Sequence, residues 1–408
     1  MHEKYNQLFQ KNPTLIALGL AMATCIAISL TRFSYSLFLP VMRDDLGWGY
    51  FVSGLVGTAN PFGYLIGVFL ALIFINRYSV SILLILSGIA TSIFVGLGAA
   101  VDNTILIIGF RILAGMMTAI VMISSELLVA ELADQHSKKS GWLFGIYYGG
   151  VGFGIIVTAF LVPYLINLGQ ALDWAHAWQL AWLALALLIF ISTLILWRPC
   201  LAITINVVPK RKLFKAHSVS NYLPMIGAFF CYGLGYLGYF TFIVAFLREM
   251  GVEEFDLSLF FSTIGLCIIA SAKLWAKILT RLKGGKALAL FNLILFVSCL
   301  IPFIVSDRIH YLSEPFVLVG IYFSAILFGS CCMSAKAATT AFIRFNFPEP
   351  LWAKQITFFL IFFALGQVVG PVLVGWISES HSLATGFLAS AFVLLVGSIL
   401  AYRQKRLN

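Results

Sequence analysis

Long apolar runs, separated by short polar or basic intervals, recur along this chain from end to end. Each is close to the 20 or so residues that a helix needs to cross a bilayer. They predict twelve spanning helices, near residues 14–40, 51–75, 80–101, 104–130, 141–168, 175–197, 221–247, 256–278, 286–306, 315–342, 352–377 and 383–402. The first run is too long for the apolar core of a secretory signal, and no cleavage site follows it, so it is expected to remain as a helix. The fold class expected is an all-α polytopic membrane protein.

Composition narrows this further. Of 408 residues, 61% are hydrophobic and only 10% charged, against roughly 25% charged in a soluble domain. A soluble core has too little interior for this much apolar side chain. The net charge of +10 would suggest nucleic acid in a soluble protein. Here the positive charges fall between the apolar runs, so they are read as topology signals, with no nucleic-acid partner. With the N-terminus inside, 20 of the 26 Lys and Arg lie on the cytoplasmic side. Arg43, Arg248 and Arg308 lie outside, and Arg32, Arg111 and Lys336 fall within spans. This bias predicts an N-in, C-in arrangement. The longest basic interval, RPCLAITINVVPKRKLFKAHS, separates six spans from six. The expected organisation is an N-terminal six-helix bundle (1–197), a basic cytoplasmic linker (198–220) that could also meet anionic lipid headgroups, and a C-terminal six-helix bundle (221–408). The seven cysteines sit mostly inside apolar runs without metal-ligand spacing and read as small buried residues.

The halves echo each other. Span one ends SYSLFLPVMRDDLG and span seven ends GYFTFIVAFLREMG. A shift of 205 residues lays Arg43 on Arg248, but lays Arg32 on Leu237, so the embedded charge is not repeated. Spans five and eleven both carry spaced glycines, Gly150 with Gly154 and Gly366 with Gly370. Two related six-helix halves fit a duplicated transporter.

With these features the chain resembles the major facilitator superfamily. RILAG, Arg111 to Gly115, is similar to that family's Arg-x-x-x-Gly motif in span four. GQVVGP, Gly366 to Pro371, is similar to its glycine-proline packing motif in span eleven, and GIYYGGVGFG in span five matches in part. TRFSYSLFLPVMRDDLGW and TANPFGYLIG resemble the bacterial YbfB/YjiJ-like subgroup. The family's acid- and arginine-rich loop motif between spans two and three is reduced to INRYS. The resemblance implies a multi-pass protein of the bacterial inner membrane, with a cavity between the halves that opens to each side in turn. One chain is then a complete, monomeric unit. Solute moves without chemistry, and no cofactor is implied. The residues agree: no nucleotide-binding GxxxxGK[ST], metal cluster or serine-histidine-acid arrangement marks an enzyme.

Polar residues inside spans are costly and mark functional candidates. Arg32 and Arg111 could each grip a carboxylate bidentately. The plainer reading of Arg32 is snorkelling to the outer interface or pairing with Asp44 or Asp45; for Arg111 it is a structural clamp. In span two, Asn60 and Tyr64 share a helix face beside Pro61 and are expected to line the path, or else to be packing surface. Lys336 could attract an anion or snorkel. Tyr35, Tyr148, Tyr236 and Gln367 could add polar contacts, although Tyr232, Tyr236 and Tyr239 form an aromatic stripe that packing alone explains. Glu126, the one acid well inside a span, is the first candidate for proton coupling, with Asp44 the second. Gly115, Gly150, Gly154, Gly366, Gly370 and Pro371 are expected at close helix crossings, as is Gly109. Trp48, Trp174, Trp178, Trp197 and Trp376 are expected at the membrane interfaces.

Three embedded bases against one embedded acid favour secondary transport of a small organic anion or zwitterion, with proton coupling and membrane lipid as further partners. The alternatives are efflux of hydrophobic or cationic compounds through an aromatic cavity, and a non-transporting sensor or lipid-handling protein.

Overall fold

A computed structural model of the protein describes residues 12–75, 77–136, 139–203, 218–308, 314–348 and 351–407. Lys4, Lys11, Lys138, Lys210, Arg211, Lys212 and Lys215, all assigned to the cytoplasmic side by the charge bias, lie outside these residues. Among the described residues there are twelve helices long and apolar enough to cross a membrane. They are α1 (Pro13–Leu46), α2 (Tyr50–Phe74), α3 (Val80–Ala99), α4 (Thr104–Gln135), α5 (Ser140–Ala171), α6 (Ala177–Leu201), α7 (Val219–Glu249), α8 (Glu254–Arg281), α9 (Lys286–Ser306), α10 (Phe316–Asn346), α11 (Lys354–Ser380) and α12 (Leu383–Arg403).

Helix is the local answer because lipid offers no partner to backbone polar groups, which must therefore bond within the segment. Hydroxyls in the spans follow the same rule. Ser87 donates to Leu83 O at 2.6 Å, and Thr91 to Ser87 O at 2.7 Å. Two helix starts are capped by side chains. Asn103 Oδ1 accepts from Ile105 N and Leu106 N, and Ser382 Oγ accepts from Thr385 N. The echo noted above is structural as well: α1 and α7 are each followed by a glycine with positive φ, Gly47 at 65° and Gly251 at 78°.

One stretch departs from the α pattern. Cys25–Phe33, within α1, is a π-helix of nine residues. The Ser34 amide accordingly reaches back five residues to Ser29 O at 2.9 Å. Such segments are rare and concentrate at functional sites. This one carries Arg32.

The chain divides into two compact units, Met1–Leu46 with Ala59–Val207, and Gly47–Thr58 with Val208–Asn408. In the first, α1 packs on α5 and α6, while α3 packs on α4 and α6. In the second, α7 packs on α11 and α12, while α9 packs on α10 and α12. The two schemes match helix for helix.

Small residues make the tightest crossings. A Cβ at Gly115 would meet the Asn60 carbonyl, one at Gly150 the Ala21 carbonyl, and one at Gly154 the side chains of Cys25 and Ser29. In the second unit Gly366 abuts the Phe230 carbonyl, Gly370 the Leu234 carbonyl, and the Pro371 carbonyl lies against Gly54. Gly329, against the Ile264 carbonyl, repeats in α10 and α8 what Gly115 does in α4 and α2. Gly109 is a correction to the expectation: nothing lies within 4 Å of its would-be Cβ, so it holds no crossing. Trp178, the second residue of α6, is fully buried within the protein, and its indole Nε1 donates to Asp45 Oδ2 at 2.6 Å inside the first unit.

Candidate functional site

The π-helical stretch sets the geometry of the first unit's polar centre. Thr31 and Ser34 donate their hydroxyls to Ile26 O and Leu30 O, at 2.5 and 2.7 Å, within the same helix. Arg32 is left facing α2. It is 8% exposed, its Nε donates to Asn60 Oδ1 at 3.1 Å, and its guanidinium carbon lies 4.7 Å from the Tyr64 ring centroid. Arg32 is therefore not snorkelling. Of the acids considered for it, Asp44 is exposed and accepts from Arg43 at 3.0 Å. Asp45 accepts from His176 Nδ1 at 2.7 Å and from Trp178.

Arg111, on α4, is 6% exposed. Its guanidinium carbon lies 4.2 Å from the Tyr35 ring centroid and 5.7 Å from that of Trp182. The positive charge sits over the electron-rich ring faces, an arrangement worth about 0.5–2 kcal/mol depending on desolvation. Arg111 and Asn60 line one crevice inside this unit, whose apolar wall includes Phe38, Phe94, Phe110 and Trp182. Arg32, bonded to Asn60, stands immediately behind that lining.

A second cluster lies further along α4. Glu126 is half-buried, and Tyr148 Oη donates to its Oε1 at 3.0 Å. The Tyr147 and Ser125 hydroxyls bond at 2.7 Å, and the rings of Tyr147 and Tyr148 meet edge to face at 5.0 Å.

In the second unit, Gln367 Nε2 donates to the Tyr236 hydroxyl, and both residues are buried. Tyr236 stacks on Tyr232 at 4.8 Å and on Phe363 at 5.8 Å, so the aromatic stripe of α7 is in large part a packing column. Lys336 is half-buried on α10, and Thr340 Oγ1 donates to its carbonyl at 3.4 Å.

A family model described as "Uncharacterised MFS-type transporter YbfB" matches residues 24–402. The chain belongs to this family. It is thus a transporter and not an enzyme, a multi-pass protein of the bacterial inner membrane built on the major facilitator plan. No curated protein matches the sequence. Among solved structures, the chain is similar to a bacterial homolog of the human lysosomal transporter Spinster in an inward-facing and occupied conformation. The TM-score is 0.68 at 15% identity, covering 95% of each chain. It is also similar to the nucleoside transporter NupG, with a TM-score of 0.68 at 14% identity, covering 97% of this chain and 100% of that one. At such identities the likeness shows the shared fold.

The sequence marked Arg32, Asn60, Tyr64, Arg111 and Tyr35, and the structure brings them into two adjoining sets in one unit. The aromatic wall was missed. Phe38, Phe94, Phe110 and Trp182 look like ordinary lipid-compatible residues in sequence, and only the crossing of their helices separates them from the rest.

Proposed function

We propose that this transporter moves a small organic anion or zwitterion bearing a carboxylate, by alternating access, with Arg32 and Arg111 as its charge anchors. The observation that carries the reading is two guanidiniums in the interior of one helical unit, tied to a single crevice through Asn60. A guanidinium can engage a carboxylate through two parallel charge-assisted hydrogen bonds. Asn60, Tyr64, Tyr35 and Tyr148 supply further polar contacts within the same unit. Glu126 is the proton-coupling residue in this reading: it is half-buried, and a tyrosine hydroxyl donates to its carboxylate. Asp44, exposed and engaged by Arg43, has no part in this reading. Both termini face the cytoplasm, as the charge bias requires.

The test is equilibrium binding of a carboxylate, amino-acid, sugar and lipophilic-cation panel to detergent-purified protein, wild type beside Arg32→Gln and Arg111→Gln. Carboxylate binding lost in both variants is the expected result; affinity retained in both would overturn the anchor role. A second reading, efflux of cationic compounds, draws on the Glu126–Tyr148 pair, an acid among aromatic rings. Cation binding that needs Glu126 and ignores both arginines would favour it.

A further inference from the structure

The segment that follows α12 is fastened to the rest of the second unit by buried amides. α12 ends at Arg403, and Gln404 takes the chain out of the helix in an extended conformation. Gln404 is buried: its Oε1 accepts from Met225 N at 3.3 Å, and its Nε2 donates to Asn221 O at 3.1 Å. Its carbonyl accepts from Gly285 N, between α8 and α9, at 3.1 Å. Asn346, buried at the end of α10, completes the fastening. Its Nδ2 donates to Lys283 O at 2.9 Å, and its Oδ1 accepts from Leu407 N at 2.8 Å. One side-chain amide thus clips the α8–α9 loop to the segment after α12. A Cβ at Gly285 would meet the Ala401 carbonyl, so the two stretches touch backbone to backbone.

This fastening sets out positive charge. Arg281, Lys283 and Lys286 around the loop, and Arg403, Lys405 and Arg406 at the end of α12, are all exposed. Neither stretch, 281–286 or 403–407, contains an acid. Among the described residues none of the six forms an ion pair. Like charges held side by side repel, and an anion relieves the repulsion. Two of the six stand beside aromatic rings, Lys283 Nζ 5.9 Å from that of Phe345 and Lys286 Nζ 5.9 Å from that of the exposed Tyr402. α8, α10 and α12 end here and α9 begins. The patch therefore lies where the spans leave the hydrocarbon, at the depth of phospholipid headgroups, which suits basic and amphipathic aromatic side chains. A charge bias that only sets topology acts loop by loop during insertion and needs no fixed arrangement. The buried amides that hold this arrangement serve the folded protein.

We propose that the surface formed by the α8–α9 loop and the segment after α12 binds the headgroup of an anionic phospholipid, its phosphate held by Lys283 and Lys286 from the loop and by Lys405 and Arg406 from the segment. Ammonium and guanidinium groups both donate charge-assisted hydrogen bonds to phosphate oxygens. The acyl chains stay in the bilayer beside α9 and α12, which pack on each other. Because Asn346 and Gln404 already fix the loop against the segment, binding does not have to order them, and affinity gains from that preorganisation. The surface belongs wholly to the second unit and is independent of the solute reading above.

The experiment is native mass spectrometry of the detergent-purified full chain, titrated with dioleoyl phosphatidylglycerol beside dioleoyl phosphatidylcholine and soluble glycerol phosphate. Phosphatidylglycerol should bind about tenfold or more tightly than phosphatidylcholine, whose choline offsets the phosphate charge. Lys283→Gln combined with Arg406→Gln should weaken phosphatidylglycerol about tenfold, with an unchanged melting curve because both side chains are exposed. Arg43→Gln combined with Arg248→Gln removes the same charge elsewhere and should leave the affinity as it was. Asn346→Ala unclips the loop from the segment without altering any charge, and should weaken the lipid about threefold or more. Equal binding of the two lipids, or equal losses from the two double variants, would overturn the site. Glycerol phosphate bound as tightly as phosphatidylglycerol would make the ligand a free phosphate compound and overturn the lipid assignment. Full affinity in a folded Asn346→Ala protein would overturn the part given to the fixed arrangement; should that variant fail to fold, the two double variants decide the site by themselves.

Discussion

Gly115 and Gly109 lie on the same helix, both beside apolar residues, yet the structure separates them. At Gly115 an added methyl would run into the Asn60 carbonyl and the Tyr64 amide, both backbone atoms of α2 that cannot rotate away. At Gly109 the space is open. Gly115→Ala is therefore expected to cost about 1–3 kcal/mol of stability through overpacking. Gly109→Ala should be neutral or gain up to about 1 kcal/mol from helix propensity. Thermal melting of the two variants in one detergent checks this, and equal effects would undo the distinction. Because the Gly115 contact bears on Asn60 itself, that variant should also lose carboxylate affinity, whereas Gly109→Ala should keep it. The family-like RILAG motif pointed to Gly115 from sequence; nothing in the sequence could say that Gly109 faces open space, since that depends on which side of α4 meets α2. Arg32, Asn60 and Arg111 were readable because polar atoms are conspicuous in apolar runs. Their partners Tyr64 and Tyr35 were readable through helical spacing and aromatic character. Trp182 and the phenylalanines around it were not, since an aromatic residue in a span carries no mark of which way it turns.

The helices themselves were readable because hydropathy reports the bilayer directly. All twelve runs became helices, and the disagreements are at their ends. α4 continues to Gln135 and α10 to Asn346, several residues past the apolar stretch, because a helix keeps its hydrogen bonds while its side chains turn polar at the headgroups. The π-helical Cys25–Phe33 was not readable at all. Hydropathy cannot tell a five-residue hydrogen-bond step from a four-residue one, yet that difference decides which way Arg32 points. The C-terminal end of α1 shows another hidden device. Asp45 accepts from both His176 and Trp178, fastening α1 to the start of α6, and His176 Nε2 lies 3.7 Å from Asp102 before α4. Asp45→Ala would strand the indole N–H of a fully buried Trp178, at a cost of about 1–3 kcal/mol. In a Trp178→Phe background, where no N–H remains to strand, most of that penalty should vanish. An identical drop in melting temperature in both backgrounds would show that Asp45 acts by some other contact.

At the level of the chain, the matched packing of α1–α6 and α7–α12 fits two copies of one design that have since diverged in charge. The close-contact glycines are kept in both copies, Gly115 with Gly329 and Gly150 with Gly366, because backbone proximity is required in each. The embedded guanidinium of α1 is not kept; its counterpart is Leu237, in an apolar and aromatic column. Packing constrains both halves alike, whereas the anion reading proposed above needs its charge in only one. Orientation is a further property of the entire chain, since each short loop votes separately. The sequence assigns twenty basic residues to one side and three to the other, and each Lys or Arg kept from crossing adds to the same preference. Two reporter fusions decide it. A fluorescent protein that matures only in the cytoplasm, joined after Asn408, should be bright. Alkaline phosphatase, active only outside, should be active when joined at Asp102, in the loop between α3 and α4. A dark first fusion with an inactive second would reverse the topology, and with it the side from which each solute is offered. Intermediate truncations ending before α7 should keep the same orientation, because the basic interval from Arg198 to Lys215 follows α6 and holds that end inside without help from the second half.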